Sequence, residues 1–112
     1  MNISHKFDEN ICILEPVGNI VLAESREFLK YLESLVASSA VQGMVINMKQ
    51  VDAIDSSGIG AILSIRKTLL AQKMQCVLCN LSQRVHEVFF FTKLLDHISI
   101  YSTADEAVGS FV

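Results

Sequence analysis

Residues 51–63 read VDAIDSSGIGAIL. An acid, two hydroxyls and two glycines stand in front of a run of good helix formers. Local rules make this a helix start: Asp55 or Ser56 can accept hydrogen bonds from the free N–H groups of the first turn, which contributes about 1 kcal/mol. Glycine costs roughly 1 kcal/mol against alanine inside a helix. Gly58 and Gly60 in one opening turn therefore need a reason. One reason is clearance, since a turn without side chains at 58 and 60 lets another molecule come close to the Ser56 hydroxyl.

On either side of this turn, short β-rich runs alternate with helical ones. Ile3 to Phe7 and Ile11 to Val17 read as strands separated by the turn-like Asp8-Glu9-Asn10. Residues 22–36 carry Leu22, Phe28, Leu29, Leu32, Leu35 and Val36 at helical spacing, with Glu24 and Glu27 near the N-terminus where the helix dipole favours acids. Met44 to Met48 suits a buried strand. Residues 57–73 form a second helix with Ile59, Ile62, Leu63, Leu69 and Leu70 on one arc. Gln75 to Leu81 is a strand, 82–95 a third helix, His97 to Tyr101 a last strand, and Thr103 caps a terminal helix beginning Ala104-Asp105-Glu106. The order β-β-α-β-α-β-α-β-α implies parallel pairing through helical crossovers, with one antiparallel neighbour from the leading pair. The expected fold is α/β: one domain over 1–112, a mixed sheet of about four to five strands packed with about four helices.

Whole-chain composition agrees with one ordinary globular domain. The 112 residues are 51% hydrophobic and 19% charged, which argues against disorder. A net charge of −3 with only nine scattered Lys and Arg argues against nucleic acid, whose affinity comes mostly from neutralising phosphates. The first residues, MNISHKFDENICIL, lack a basic start followed by a long apolar core. No apolar run approaches the roughly 18 residues of a membrane helix. Three cysteines, an odd number, fit a reducing compartment. The expectation is a cytoplasmic protein without membrane insertion.

Several chemistries can be weighed against the residues. A nucleophile elbow needs G-x-S-x-G, whereas Ile54 stands two residues before Ser56 and Asp55 two before Ser57; His5, His86 and His97 lie in other elements, so no base is placed beside Ser56. Gly58-Ile59-Gly60 resembles half of G-x-G-x-x-G, but Leu63 replaces the last glycine and no Gly-Lys-Ser/Thr follows. Cys76-Val77-Leu78-Cys79 has C-x-x-C spacing, yet Cys12 is the only other thiol for a metal set. Within a strand, positions i and i+3 face opposite ways, so these two read as small packed residues. No metal ligands, cofactor or catalytic residues are assigned. In the third helix Val85, Val88, Phe89 and Leu95 form an apolar arc that leaves Phe90 pointing nearly away. Phe90 either packs against the terminal helix or is exposed on a partner surface.

The turn itself suits a modification. A phosphate on Ser56 would lie at the positive end of a helix among unpaired N–H donors. It would add roughly two negative charges beside Asp55, a change fit for blocking a partner.

The segment VINMKQVDAIDSSGIGAILSIRKTL (45–69), the early strand ending in Val17-Gly18 and the tail VHEVFFFTKLLDHISIYSTADEAV (85–108) closely resemble the STAS family, bacterial anti-sigma factor antagonists in particular. The likeness extends over nearly the whole chain. It implies a protein switch with no catalysis of its own. The serine directly after the aspartate, here Ser56, is the residue that the family's anti-sigma factor serine kinase phosphorylates, and a PP2C-type serine phosphatase removes the phosphate. The unmodified form would bind the kinase and free a sigma factor or other output. Asp55, Ser56, Ser57, Gly58, Ile59 and Gly60 become the expected partner-binding residues, with Asp55 positioning the turn and Ser57 a lesser hydroxyl. A weak homodimer is within this expectation, and so is a different role: a STAS subunit of a lipid-transport or signalling assembly in which Ser56 is never phosphorylated. Two positions depart from the family's habit. Val21 stands where many relatives carry an acid, and Lys93 where many carry glycine; both bear on the choice of partner.

Overall fold

A computed structural model describes residues 1–38 and 41–111, so the expected 1–112 domain is followed over those residues. Strands β1 (Asn2–Asp8) and β2 (Ile11–Val17) form an antiparallel hairpin. Its loop is Glu9-Asn10, with Glu9 in the left-handed region at φ 54°; such a first loop residue matches the twist of the two strands. Then come α1 (Leu22–Ser38), β3 (Gly43–Asn47), α2 (Ser56–Ala71), β4 (Gln75–Cys79), α3 (Gln83–Phe91), a 3-10 turn (Leu94–Asp96), β5 (Ile100–Tyr101) and α4 (Ala104–Gly109). The sheet runs β1-β2-β3-β4-β5, antiparallel only at the first pair and parallel thereafter. This is the expected α/β architecture.

Alternation along the strands divides the apolar residues between two layers. Cys12, Leu14, Met44, Ile46, Cys76 and Leu78 face one way and meet Phe28, Leu32 and Leu35 of α1, Ala61, Ile62, Ile65 and Leu69 of α2, and Val85 and Phe89 of α3. Ile13, Val45, Val77 and Cys79 face the other way and meet Ala107 of α4. Cys76 and Cys79 thus sit on opposite faces, both buried. Burial pushes the thiols of Cys12 and Cys79 up to about 11 and that of Cys76 to about 12, so all three stay protonated and unreactive at neutral pH.

Three details differ from the sequence reading, and a fourth, left open there, is decided. The third helix does not run to 95; it stops at Phe91, and Lys93 adopts φ 62°. That is the C′ position after a helix, where glycine is preferred because it has no Cβ to strain. His97 follows the 3-10 turn instead of lying in a strand, because β5 is only two residues long. On α2, Ala61 and Ile65 are buried while Leu70 is 37% exposed, so the apolar arc is rotated from the expected one. Of the two readings of Phe90, exposure holds, and the packing against the terminal helix does not. Phe90 is 60% exposed and meets Phe91 edge to face, because α3 and α4 cover opposite faces of the sheet.

Candidate functional site at the start of helix α2

Two loops converge on the first turn of α2. Beyond the ends of β2 and β3 the chain continues side by side, with isolated parallel bridges at Val17↔Gln50 and Ile20↔Ile54. Gly18 N–H donates to the Gln50 carbonyl at 2.9 Å and Ile20 N–H to that of Ala53 at 3.0 Å. Gly18 has φ 106°, a conformation open to glycine and costly for other residues. These bonds bring residues 18–22 against residues 50–58, although more than thirty positions of sequence separate them.

Asp55 is the helix cap. Its Oδ1 accepts from Ser57 N–H at 3.0 Å, Gly58 N–H at 3.1 Å and the Ser57 hydroxyl at 2.5 Å. Its Oδ2 accepts from Leu22 N–H at 3.3 Å. The Ser57 hydroxyl bond, then the Gly58 N–H bond, hold the Asp55 carboxyl below its ordinary value of 3.8, because each stabilises the ionised form. The choice between Asp55 and Ser56 as cap falls to Asp55.

The two serines have different employment. Ser57 Oγ gives its proton to Asp55, accepts from Leu22 N–H at 3.1 Å, and lies 2.9 Å from the Ser25 hydroxyl. With its one proton committed, Ser57 accepts from Ser25. Ser25 is the buried polar residue of the described core, 4% exposed, and this bond satisfies it. Ser57 is therefore the hub that joins the start of α1 to the start of α2. Ser56 is exposed, and its hydroxyl makes no hydrogen bond among the described residues.

The expected role of the glycines divides as well. A Cβ on Gly58 would stand 2.3 Å from the Ile20 carbonyl oxygen and 2.6 Å from Ile54 Cγ1, so Gly58 lets the two loops close on each other. It is not clearance for a visitor. A Cβ on Gly60 would meet nothing within 4 Å, and this residue is exposed on the helix surface. The N–H groups expected to surround a phosphate are also mostly taken: those of Ser57 and Gly58 by the Asp55 carboxylate, that of Ile59 by the Asp55 carbonyl. A charge on Ser56 would face outward beside an ionised carboxylate, not into a cradle.

Sequence reasoning missed two residues of this site, Ser25 and Leu22. Leu22 belonged to the expected apolar face of α1, but it is 75% exposed, with φ 49°. A left-handed backbone costs a side-chain-bearing residue about 1–2 kcal/mol. The sequence signal that could have found it is the interval of six from Leu22 to Phe28, which leaves Leu22 roughly a quarter to a third of a turn off the Phe28–Leu32 stripe at about 3.6 residues per turn. A concavity of about 1060 Å³ lies elsewhere, lined by Lys49, Asn80, His86, His97 and Tyr101 among others, with no residue of 55–60 in its wall. No helix of the described residues is long and apolar enough to cross a membrane.

Residues 2–107 match the sequence model of the STAS domain. The chain belongs to the STAS family. Among curated relatives of this STAS protein is the anti-sigma-B factor antagonist of Listeria monocytogenes, 31% identical over 83 residues, which are 72% of this chain and 73% of the relative. The fold matches the Bacillus anti-sigma factor antagonist SpoIIAA in its unphosphorylated form with a TM-score of 0.83 at 21% identity, over 98% of this chain and 96% of the other. The chain is also 36% identical over 83% of its length to Sulfate transporter 1.3 of Arabidopsis thaliana, where the match covers 15% of the larger protein.

Proposed function

We propose that this STAS protein is an anti-sigma factor antagonist that works as a phosphorylation-controlled switch, with Ser56 as the phosphate acceptor. The observation that carries the reading is the contrast between the two exposed serines: the Ser57 hydroxyl is tied into Asp55, Leu22 and Ser25, while the Ser56 hydroxyl is unbonded among the described residues. The name of the Listeria relative supports the same role. Unmodified, the α2 turn docks on an anti-sigma factor serine kinase in the cytoplasm and releases that kinase's sigma factor or other output. Residues 55–60 form the docking surface. Phosphorylation adds roughly two negative charges next to a carboxylate already held in its ionised form. The added charge opposes docking without disturbing the core, and a PP2C-type phosphatase reverses it. The chain itself catalyses nothing in this scheme.

The test is phosphate mapping after incubation with the anti-sigma serine kinase and ATP. Wild type takes up phosphate on Ser56, and Ser56→Ala takes up none. Incorporation unaffected by Ser56→Ala would sink the assignment. Ser56→Asp folds normally and binds the kinase at least about tenfold more weakly, since an uncompensated like charge at an interface costs more than 1.4 kcal/mol. The match to a transporter's STAS segment favours a second reading, a subunit of a transport or signalling assembly with Ser56 never modified. That reading expects no kinase binding and full retention of the assembly by both Ser56 variants.

A further inference from the structure

Five non-glycine residues among those described have positive φ: Glu9, Leu22, Lys73, Asn80 and Lys93. Four are polar and lie in the β1–β2 loop, after α2, after β4 and after α3. Leu22 alone is apolar, and it is also 75% exposed. A bulky residue in this conformation is an outlier, and such outliers persist where the surroundings hold them and cluster at functional positions.

The surroundings that hold Leu22 are the phosphoacceptor turn. Its N–H is shared between Ser57 Oγ at 3.1 Å and Asp55 Oδ2 at 3.3 Å, the two residues flanking Ser56. Two positions earlier, the Ile20 backbone is bonded to Ala53 and bridged to Ile54. The side chain cannot turn into the core without breaking the bonds that build the turn. Val21 beside it is half-buried and Ala23 exposed, so an apolar projection adjoins the anionic Asp55.

We propose that Leu22 is a specificity anchor: it enters an apolar socket on the serine kinase, next to the cleft that receives Ser56, and thereby selects the partner. The proposal rests on the reading of Ser56 given above. Exposed aromatic residues Phe90 and Phe91 form another apolar patch, but among the described residues no hydrogen bond ties them to the turn, whereas Leu22 is continuous with it.

The experiment measures binding of the anti-sigma serine kinase and the kinetics of Ser56 phosphorylation for wild type, Leu22→Gly, Leu22→Asn and Leu22→Met. Gly and Asn tolerate the left-handed backbone, so both variants keep the wild-type melting temperature or exceed it. With them KM for the antagonist rises at least about tenfold, kcat stays within about twofold, and affinity falls by the same factor as KM rises, the pattern of lost uniform binding at an interface hot spot. Leu22→Met, still apolar and of similar volume, returns to within about threefold of wild type. Wild-type KM and affinity in Leu22→Gly and Leu22→Asn overturn the anchor, as does a loss that Leu22→Met does not restore, or a fall in kcat alone. If these variants only convert a dimer to a monomer in sedimentation, the socket belongs to a second copy and the proposal fails. A wild-type chain that neither binds the kinase nor is phosphorylated removes the functional reading first and the anchor with it; a wild type that is phosphorylated leaves only Leu22 in question.

Discussion

At the scale of single residues, Asp55 does the work of three caps. It closes the first turn of α2, orients Ser57 and holds the Leu22 amide. Its carboxyl titrates below the ordinary 3.8, so folding favours the charged form. The sign follows from linkage: the stabilisation is fully present above the unfolded value and is lost as pH falls through the lower folded one. Thermal melting of wild type and Asp55→Asn should therefore differ by a constant amount from pH 7 down to about pH 5, and the gap should narrow once the pH drops below 3.8. A gap unchanged at about pH 3 would mean that charge is not what Asp55 contributes. Local sequence rules offered Asp55 or Ser56 as the cap and gave no sign that Ser57 is the hydroxyl tied into the fold. Both serines are small hydroxyls in a helix start, and only the fold brings Leu22 and Ser25 to Ser57 across more than thirty residues.

At the scale of elements, the opening of α2 shows how the same residue type can serve opposite ends. Gly58→Ala must push its Cβ against the backbone carbonyl of Ile20, 2.3 Å away, which neither loop can relieve without losing its bridges; overpacking of this kind costs about 1–3 kcal/mol. Gly60→Ala meets nothing within 4 Å and should gain about 0.5–1 kcal/mol from the lower entropy of the unfolded chain and better helix propensity. Denaturant unfolding of the two variants reads both values, and equal signs would contradict the geometry. Local pattern treats the pair alike because Gly58's neighbour comes from a different loop. The same limit applies to α3, where an apolar arc continuing to Leu95 conceals the left-handed Lys93 that ends the helix. Element order and type, in contrast, were legible: strand alternation and helical spacing are written in each segment separately.

For the whole molecule, a sheet covered on both faces makes the thiols silent. Cys12 and Cys76 lie under α1 and α2, and Cys79 lies on the face that α4 covers. With values raised to about 11, 12 and 11 against an ordinary 9.0, each thiolate is at least about a hundredfold scarcer near pH 8 than in the unfolded chain. Alkylation followed by mass spectrometry should leave the native protein unlabelled over a time in which the unfolded chain takes up three labels. Early labelling of the C-x-x-C pair would contradict its reading as packed residues. The alternation of strands and helices in the sequence led correctly to a largely parallel sheet, while the consecutive order of its five strands depends on how helices lie across it, which no single segment encodes.

The paired bridges beyond β2 and β3 bear on the thermodynamics of association. Binding loops usually lose freedom when a partner arrests them, and that lost entropy is subtracted from the affinity. Here the loop carrying Leu22 is stitched to the loop carrying Asp55 by backbone bonds that already exist in the free protein. A partner docking on this edge meets a surface whose ordering was completed during folding. Its affinity then reports the contacts it makes, with little deducted for bringing the two loops together.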